Sequence, residues 1–600
     1  APSIYSRRSE HEFRRARPEM SVSPSSHMAP DVREVKAGSG DSDAKLPCES
    51  SAKLSLPSEK DLSAAELPRK PSARSRLARG CFGVFTMPCQ LQRFLVMLYR
   101  AFGGYVPMAV LQYGLNQGIG MSMGNMARRV YFADVLKLDG ATGGRYFAAA
   151  MVPWSIKPVF GMLSDAVPIF GYHRTSYVVF AGMSGVIAWT ALGSLPLAGA
   201  ATVPFLVLMN ISVSMPDVMI DAKTAELSRV TPEHASNLQS LSWGALAFGG
   251  LVTCSTSGLL VDTLGPRTMF LLINVCSLGV LIPGLLNWLG DTRVPRDRRK
   301  IDTDWLKKNL FIGVLAGYMS LMAITLSILQ ITVENKAARG IATGGCTVVL
   351  VIGIFLVLRK VSPLLAKTAI FIFARECLQP SAGEAMFQWL KNCPDGPQFS
   401  PTLLSWIDCF GSLGLLLGVT IYNKYLSEVP YRRIFFGAQV AMVVCGLFDF
   451  VLVKRWNLVV GIPDIVMLIG DDAFTVTMRR FFAMPMFILA AKVCPESVEA
   501  TLFAMLMALS NFGSTVADFL GVSMLEAFGV VGSNFDRLGD VILAKSFCRL
   551  LPMLLIPLLV PNLRPNDPID IEADSSEAGA EAKRKEEEEA ADAAPASASV

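Results

Sequence analysis

The stretch that decides the fold class reads KNLFIGVLAGYMSLMAITLSILQIT over residues 308–332, and its only charged side chain is Lys308 at the first position. About 20 apolar residues in a helix are enough to cross the hydrocarbon of a bilayer. Comparable apolar stretches recur from about Phe94 to about Val560, with short polar connections between them. They are long and continuous, unlike the alternating strands of a β-barrel, and they predict an all-α polytopic membrane protein.

The composition of the whole chain supports the same class. The 600 residues are 52% hydrophobic and 18% charged, and the mean hydropathy is +0.42, which is far too apolar for a soluble protein of this length. The net charge of +5 is small, and its basic part lies in tails and loops. This placement indicates how the chain is oriented in the membrane and does not favour nucleic-acid binding.

The cysteines and histidines give no sign of a disulfide framework, a metal site or a cofactor. The 12 cysteines have no regular spacing, and several, such as Cys254 and Cys409, lie inside apolar stretches. The 4 histidines all fall in tails or loops. We therefore expect no disulfide framework, no bound metal and no cofactor.

The apolar stretches predict roughly fourteen membrane-spanning helices between two polar tails. Residues 1–93 and 563–600 lack hydrophobic periodicity, so we expect a disordered N-terminal tail with a juxtamembrane segment and a disordered acidic C-terminal tail. The helices are predicted at about residues 103–131, 142–167, 174–195, 202–228, 235–262, 268–290, 308–332, 342–360, 363–391, 400–423, 432–454, 461–492, 497–526 and 543–561.

Short internal similarities indicate a duplicated unit. Thr231-Pro232-Glu233 resembles Cys494-Pro495-Glu496, 263 positions later, and Gly171–Arg174 resembles Pro430–Arg433, 259 positions later. Parallel six-helix repeats are the organisation of the major facilitator fold. The predicted units are a six-helix bundle, a linker with one or two extra membrane helices, and a second six-helix bundle, at residues 94–290, 291–362 and 363–562.

The basic residues near the helix ends predict the orientation. With both termini in the cytoplasm, His173-Arg174, Arg359-Lys360 and Arg432-Arg433 all lie on the cytoplasmic side, as the positive-inside rule requires. The pair Lys454-Arg455 falls on the other side and does not fit the rule.

The most distinctive motif lies at the end of the second predicted helix. Residues 154–165 read WSIKPVFGMLSD, and Arg174 follows after a short loop. Gly161 permits close helix contact, and Asp165 can pair with a cation such as Arg174 at the helix end. Such a pair either gates a moving bundle or is a static salt bridge.

Taken together, the motifs resemble the folate-biopterin transporter family of the major facilitator superfamily. The similar residues are W-x-x-K-P-x-x-G-x-x-S-D-x-x-P-x-x-G-Y-x-R from Trp154 to Arg174, the stretch Asp217–Ala222, Pro495-Glu496 with Glu499-Ala500-Thr501, and Asn511. The resemblance implies a facilitator fold, proton-coupled uptake and a folate or pterin substrate.

Ionisable and polar side chains inside the apolar helices are the candidates for substrate contact, because charge at membrane depth is unfavourable and usually functional. Folates are flat, heteroaromatic and anionic, so their site needs hydrogen-bonding groups, aromatic faces and positive charge. The substrate candidates are Asn116, Gln117, Trp154, Lys157, Arg375, Glu376 and Arg480, with Tyr113, Glu384 and Arg479 also at depth. Arg128, Arg129 and Lys223 are expected to reach toward the membrane surface instead.

Asp217 and Asp221 are the candidates for proton coupling. They are four residues apart and share one helix face, where two carboxylates in a low dielectric disfavour double ionisation. A permanent pair with Lys157 or Lys223 is the alternative. A shift of 263 positions sets Asp217 opposite Arg480, which suggests that protonation of Asp217 or Asp221 frees Arg480 for an anionic substrate. A fixed structural pair is the alternative.

Three classes of function fit a polytopic membrane protein: a solute carrier, an embedded enzyme, and a receptor or scaffold. No catalytic constellation stands in the apolar core, so we expect a transporter and not an enzyme. We expect its partners to be a small-molecule substrate, protons and the bilayer, with no nucleic acid. We expect it in the plasma membrane more than in an organellar membrane. A carrier of another small organic anion is the alternative.

Overall fold

A computed structural model describes residues 91–231, 234–296, 299–494, 499–565 and 567. Within these ranges every regular element is a helix, apart from one isolated bridge between Ile169 and Tyr172. The predicted all-α class is confirmed. Most of both predicted tails lies outside the described residues.

Twenty-one α-helices, α1 to α21, make up the described chain. In order they are residues 91–102, Tyr105–Val110, Ser122–Val130, Gly140–Ala150, Val152–Ser155, Lys157–Ala166, Thr175–Ser194, Val203–Val230, Ala235–Leu285, Thr303–Lys308, Leu310–Thr332, Lys336–Leu358, Pro363–Cys377, Gly383–Asn392, Pro401–Ile421, Tyr431–Val453, Trp456–Val459, Asp464–Lys492, Glu499–Ala527, Leu538–Cys548 and Leu551–Leu559. Turns of π-helix cover Leu111–Met121, Tyr131–Val135 and Tyr422–Leu426, and a 3₁₀ turn covers Gly199–Thr202.

Ten of the described helices are long and apolar enough to span a membrane. One of them, which covers residues 237–285, contains two predicted spans and is kinked at Gly265, whose φ is 76°. The first, second and ninth predicted spans are broken into shorter pieces and therefore do not count among the ten. With these three, the structure accounts for the fourteen predicted segments.

The breaks follow from the local sequence. Pro153 and Pro158 have no N–H group for a helical hydrogen bond, and the second span divides into α4, α5 and α6 around them. The first span changes to π-helix over Leu111–Met121. Such turns are frequent at functional sites, and this one holds Asn116 and Gln117.

We divide the described spans by chain order into an N-terminal half (residues 105–285), an inserted hairpin (residues 310–358) and a C-terminal half (residues 363–559). Successive spans alternate in direction, so the loops fall on two sides. We call the side of loops 167–174, 359–362 and 427–430 the basic side, and that of loops 136–139, 393–400 and 528–537 the opposite side.

Glycines allow the first span to pack closely on helix α9. A Cβ atom at Gly249 would lie 2.3 Å from the carbonyl oxygen of Gly114 and 2.9 Å from the Cα atom of Gly118. Gly120 and Gly124 face Cys276 and Trp189 in the same way. These small residues therefore serve helix packing.

The halves meet along two lines. Helices α4 to α6 contact α19, and helix α9 contacts α15. The inserted hairpin bridges the halves as well, because α11 packs on α4, α5 and α6 and also on α19, while α12 packs on α13 and α19.

The second contact line contains a disulfide between Cys254 of α9 and Cys409 of α15, with Cα atoms 5.4 Å apart. The expectation of no disulfide framework concerned a set of bridges, and this single pair was not predicted. The two residues are 155 positions apart, and they meet because α9 and α15 approach closely where Gly258 faces Thr402. Cysteine spacing along one chain does not reveal such a contact between distant helices.

Candidate substrate and proton site

Lys157 begins helix α6 at the break between α5 and α6, and its ammonium forms an ion pair with Asp217 of helix α8. The lysine side chain is 20% exposed and that of Asp217 is 8% exposed. Of the two lysines predicted as partners, the structure pairs Asp217 with Lys157. Lys223 lies 3.5 Å from Glu226 instead.

Asp221 stands one turn further along α8 and has a different environment. The hydroxyl of Tyr113 donates to its Oδ1 at 2.5 Å, and the residue has an exposed surface although Asp217 is buried. The two carboxylates thus share a helix face, as predicted, but one is paired with an ammonium and the other faces open space.

Trp154 lies beside the ion pair and is fixed from both halves. Its Nε1 donates to Oδ1 of Asn210 at 3.0 Å, and Nζ of Lys157 lies 4.3 Å from its ring centroid. Its carbonyl accepts a 3.3 Å hydrogen bond from Asn511 of α19. The ring is half-buried, so one face can receive a flat ligand.

Asn116 and Gln117 occupy the π-helical stretch but differ in their contacts. Asn116 is 2% exposed, and its Nδ2 donates to Gln112 at 3.0 Å and to the carbonyl of Ser212 at 2.9 Å. It therefore ties the first span to α8. The Oε1 atom of Gln117 is buried without a hydrogen-bond partner in the described part of the chain, and a ligand could supply one.

In the C-terminal half, Arg375 is buried in helix α13 and pairs with the adjacent Glu376. Its guanidinium lies 3.8 Å from the ring centroid of Phe482. Glu376 packs against Gly513 of α19. Arg375 and Phe482 thus place a cation and an aromatic face together, which is the chemistry that a carboxylated aromatic ligand requires.

Arg479 and Arg480 are adjacent on helix α18 but point differently. The Cβ atom of Arg480 would lie 2.9 Å from a Cβ atom at Gly418, so this residue packs toward helix α15. Arg479 is exposed and interacts electrostatically with Arg375 and Asp518. Of the two arginines, Arg479 is thus electrostatically connected to the other charged residues of the candidate site.

The predicted gating residues lie together on the basic side, within the N-terminal half. Arg174 is 3.6 Å from Asp165 and also pairs with Glu226 at the end of α8. A Cβ atom at Gly161 would be 3.5 Å from a side-chain carbon of Val218, which is an ordinary van der Waals distance, so this contact does not require glycine.

Ion pairs between the two halves lie on the opposite side, and the sequence did not reveal them. Arg128 is 1% exposed, donates to Glu384 at 2.8 Å and lies 4.1 Å from the ring centroid of Phe147. Arg129 shares the same carboxylate at 3.4 Å. The expectation that Arg128 reaches toward the membrane surface is wrong, because a partner 256 residues away neutralises it inside the protein.

Comparison with known proteins identifies the family of this chain. The sequence profile described as the BT1 family matches residues 117–580. The chain belongs to the BT1 family. It is 31% identical over 460 residues to "Probable folate-biopterin transporter 6" of Arabidopsis thaliana, which covers 76% of this chain and 82% of that protein.

Two further comparisons agree. The "Folate-biopterin transporter" of Synechocystis is 27% identical, over 79% of this chain and 86% of that protein. A solved POT family transporter in complex with a thioalcohol-conjugated peptide has the same fold, with a TM-score of 0.56 at 16% identity over 77% of this chain and 97% of that chain. The predicted family, the facilitator-type fold and a transporter instead of an enzyme are thereby confirmed.

This BT1 family chain also has a membrane-embedded carboxylate that sequence reasoning missed. Asp518 of α19 lines a small cleft between the halves with Arg129, Phe147 and Glu384. The available signal in the sequence is a single aspartate within an otherwise apolar part of that helix.

Proposed function

We propose that this chain is a secondary active transporter that moves a folate or pterin across a membrane, coupled to protons, by alternating access. The observation that carries the proposal is the Lys157–Asp217 ion pair beside the ring of Trp154, inside the membrane-spanning bundle. An ammonium next to an aromatic face suits a flat, heteroaromatic anion. The names of the two relatives support the same substrate class.

The contacts of the two carboxylates support coupling to protons. An anionic substrate that binds Lys157 competes with Asp217, and an unpaired carboxylate inside the bundle is unfavourable. Protonation of Asp217 removes that penalty and releases the lysine. Asp221, which faces open space and is held by Tyr113, gives the proton a route to the pair.

Positive charge in the C-terminal half supports a site shared by both halves. Arg375 lies against Phe482, and Arg479 is exposed within electrostatic range of it. A substrate bound to Lys157 on one half and to these arginines on the other would draw the halves together, which is the requirement of alternating access.

The arrangement of charged loops supports the proposed orientation, with both termini in the cytoplasm. The basic side carries Arg174, Arg359 and Lys360, and the positive-inside rule then makes it cytoplasmic. We propose the plasma membrane as the location.

Uptake by proteoliposomes that contain the purified chain tests the proposal. We expect accumulation of radiolabelled folate or biopterin when the external solution is made acidic, and competition by methotrexate but not by unrelated anions. Asp217→Asn should still bind substrate but lose the response to the pH gradient. Asp304→Asn, in the exposed turn of α10, is the matched control and should behave as the wild type.

Each rival function predicts a different result. Accumulation of an unrelated organic anion, with no competition by folate or pterin, would indicate the alternative substrate class. Binding without any accumulation would indicate a receptor. Gradient-driven uptake by Asp217→Asn would contradict the coupling role.

A further inference from the structure

The inserted hairpin contributes one side chain to a buried ion cluster between the halves. Arg339, near the start of α12, is 4% exposed and pairs with Oε1 of Glu526 at the end of α19. The same oxygen lies 3.4 Å from Nη1 of Arg145 on α4. One carboxylate oxygen therefore serves two arginines from different parts of the molecule.

Arg339 is fixed to the turn of the hairpin. Its Nη1 donates to the carbonyl oxygens of Val333 and Glu334, both at 2.8 Å, and its own carbonyl accepts a 3.1 Å hydrogen bond from Gln330. Helix α12 packs on α13 and α19 of the C-terminal half. Arg339 is thus held on the same body as Glu526.

Arg145 belongs to the N-terminal half instead. Its Nη2 has a second acceptor on its own helix, Oγ1 of Thr142 at 3.3 Å. If the halves separate on the opposite side, Arg145 leaves Glu526 and keeps Thr142. Glu526, whose side chain is 7% exposed, would then have no cation if Arg339 were absent.

We propose that Arg339 is the permanent counter-ion of Glu526. It keeps this carboxylate neutralised when the contact with Arg145 breaks, and the inserted hairpin thereby sets the balance between the closed and open states of the opposite side. Arg145 stabilises the closed state only. Arg339 acts on the conformational equilibrium without touching the substrate, and this role rests on the alternating access of the proposed function.

Distances between spin labels test the proposal without any need for transport. Lys137→Cys and Asp536→Cys place labels in exposed loops of the two halves on the opposite side. The background is the full chain with its free cysteines replaced and the disulfide between Cys254 and Cys409 retained. Electron–electron double resonance on the purified protein should give a short and a long distance for the closed and open states.

We expect Arg339→Gln to lower the long-distance population roughly tenfold, because opening then leaves a carboxylate unpaired. Arg145→Gln should raise that population, since it weakens only the closed state. The double variant Arg339→Gln/Glu526→Gln should restore opening, because no carboxylate remains to be neutralised. Arg339→Lys keeps a cation and should stay near the wild type.

Lys336→Gln is the matched control, as an exposed cation on the same turn of α12. The proposal is overturned if Arg339→Gln leaves the two populations as they are, if Lys336→Gln shifts them equally, or if the double variant stays closed.

The outcomes also separate this proposal from the proposed function. A wild-type protein with one distance under all conditions would contradict alternating access and this role together. Two populations that Arg339 does not influence would contradict this role alone. A substrate other than a folate or pterin would change neither distance.

Discussion

At the scale of single residues, Lys157 is the most sensitive position of the candidate site. Lys157→Ala leaves Asp217 without its cation, and we expect uptake to fall by more than about tenfold. The loss of stability should be roughly 1–3 kcal/mol, below the value for a fully buried pair because the lysine side chain keeps 20% exposure.

The measurement is initial uptake rate together with the thermal unfolding of the purified variant. Lys307→Ala is the control, since this exposed lysine of α10 lies beside Asp304 and away from the candidate site, and this variant should transport normally. Uptake at the wild-type rate by Lys157→Ala would remove the lysine from the mechanism.

A second residue prediction distinguishes the two arginines of α18. The helices α8 and α18 begin 261 positions apart, at Val203 and Asp464, and end 262 positions apart, at Val230 and Lys492. A shift of 262 pairs Asp217 with Arg479, whereas the sequence landmarks paired it with Arg480. We expect Arg479→Ala to weaken substrate binding about tenfold or more and Arg480→Ala to weaken it less.

Equilibrium binding of a labelled folate to both purified variants measures this difference. Stronger loss in Arg480→Ala would return the role to the residue that the sequence landmarks suggested.

At this scale, the sequence predicts which charged residues lie inside apolar helices and which of them share a helix face. It does not predict the ion pairs between distant helices. Lys157 and Asp217 stand out because each is a charge within an apolar helix, and two carboxylates four residues apart must share a face. Nothing local connects Arg128 with Glu384, or Arg339 with Glu526, because these pairs depend on how separate helices pack.

At the scale of elements, the contact between the first span and α9 depends on the absence of side chains. Gly249→Val would force a Cβ atom to within 2.3 Å of the carbonyl oxygen of Gly114, so the helices must separate. We expect a destabilisation of about 1–3 kcal/mol, typical of overpacking. Gly250, the next residue, has nothing within 4 Å of its Cβ position.

Thermal unfolding of Gly249→Val and Gly250→Val in the same detergent measures the effect of position alone. The second variant should stay within about 0.5 kcal/mol of the wild type. Equal destabilisation of the two would mean that valine, and not the helix contact, is responsible.

The pattern of apolar stretches predicted the elements well because a bilayer imposes one length on every span. It could not predict where a span breaks. Pro153 and Pro158 signal the break before Lys157, but the π-helix over Leu111–Met121 has no comparable mark in the sequence.

At the scale of the whole molecule, the orientation can be read from two introduced cysteines. Asp395→Cys in loop 393–400 should react with an impermeant thiol reagent from outside intact cells, and Lys360→Cys should react only after permeabilisation. Both positions are exposed, whereas the native Cys393 is buried and is a poor reporter. The reverse pattern would place the basic side outside.

The bond between Cys254 and Cys409 fixes one point that both halves share. Two bodies joined at one point can rotate about it but cannot separate there. Displacement in such a turn grows with distance from the joint. The contact between α4 and α19 belongs to the other line, where the inserted hairpin also packs on both helices. If the halves turn about this bond during the proposed alternating access, the ion pair between Arg145 and Glu526 lies on the other contact line, which is the one that opens and closes.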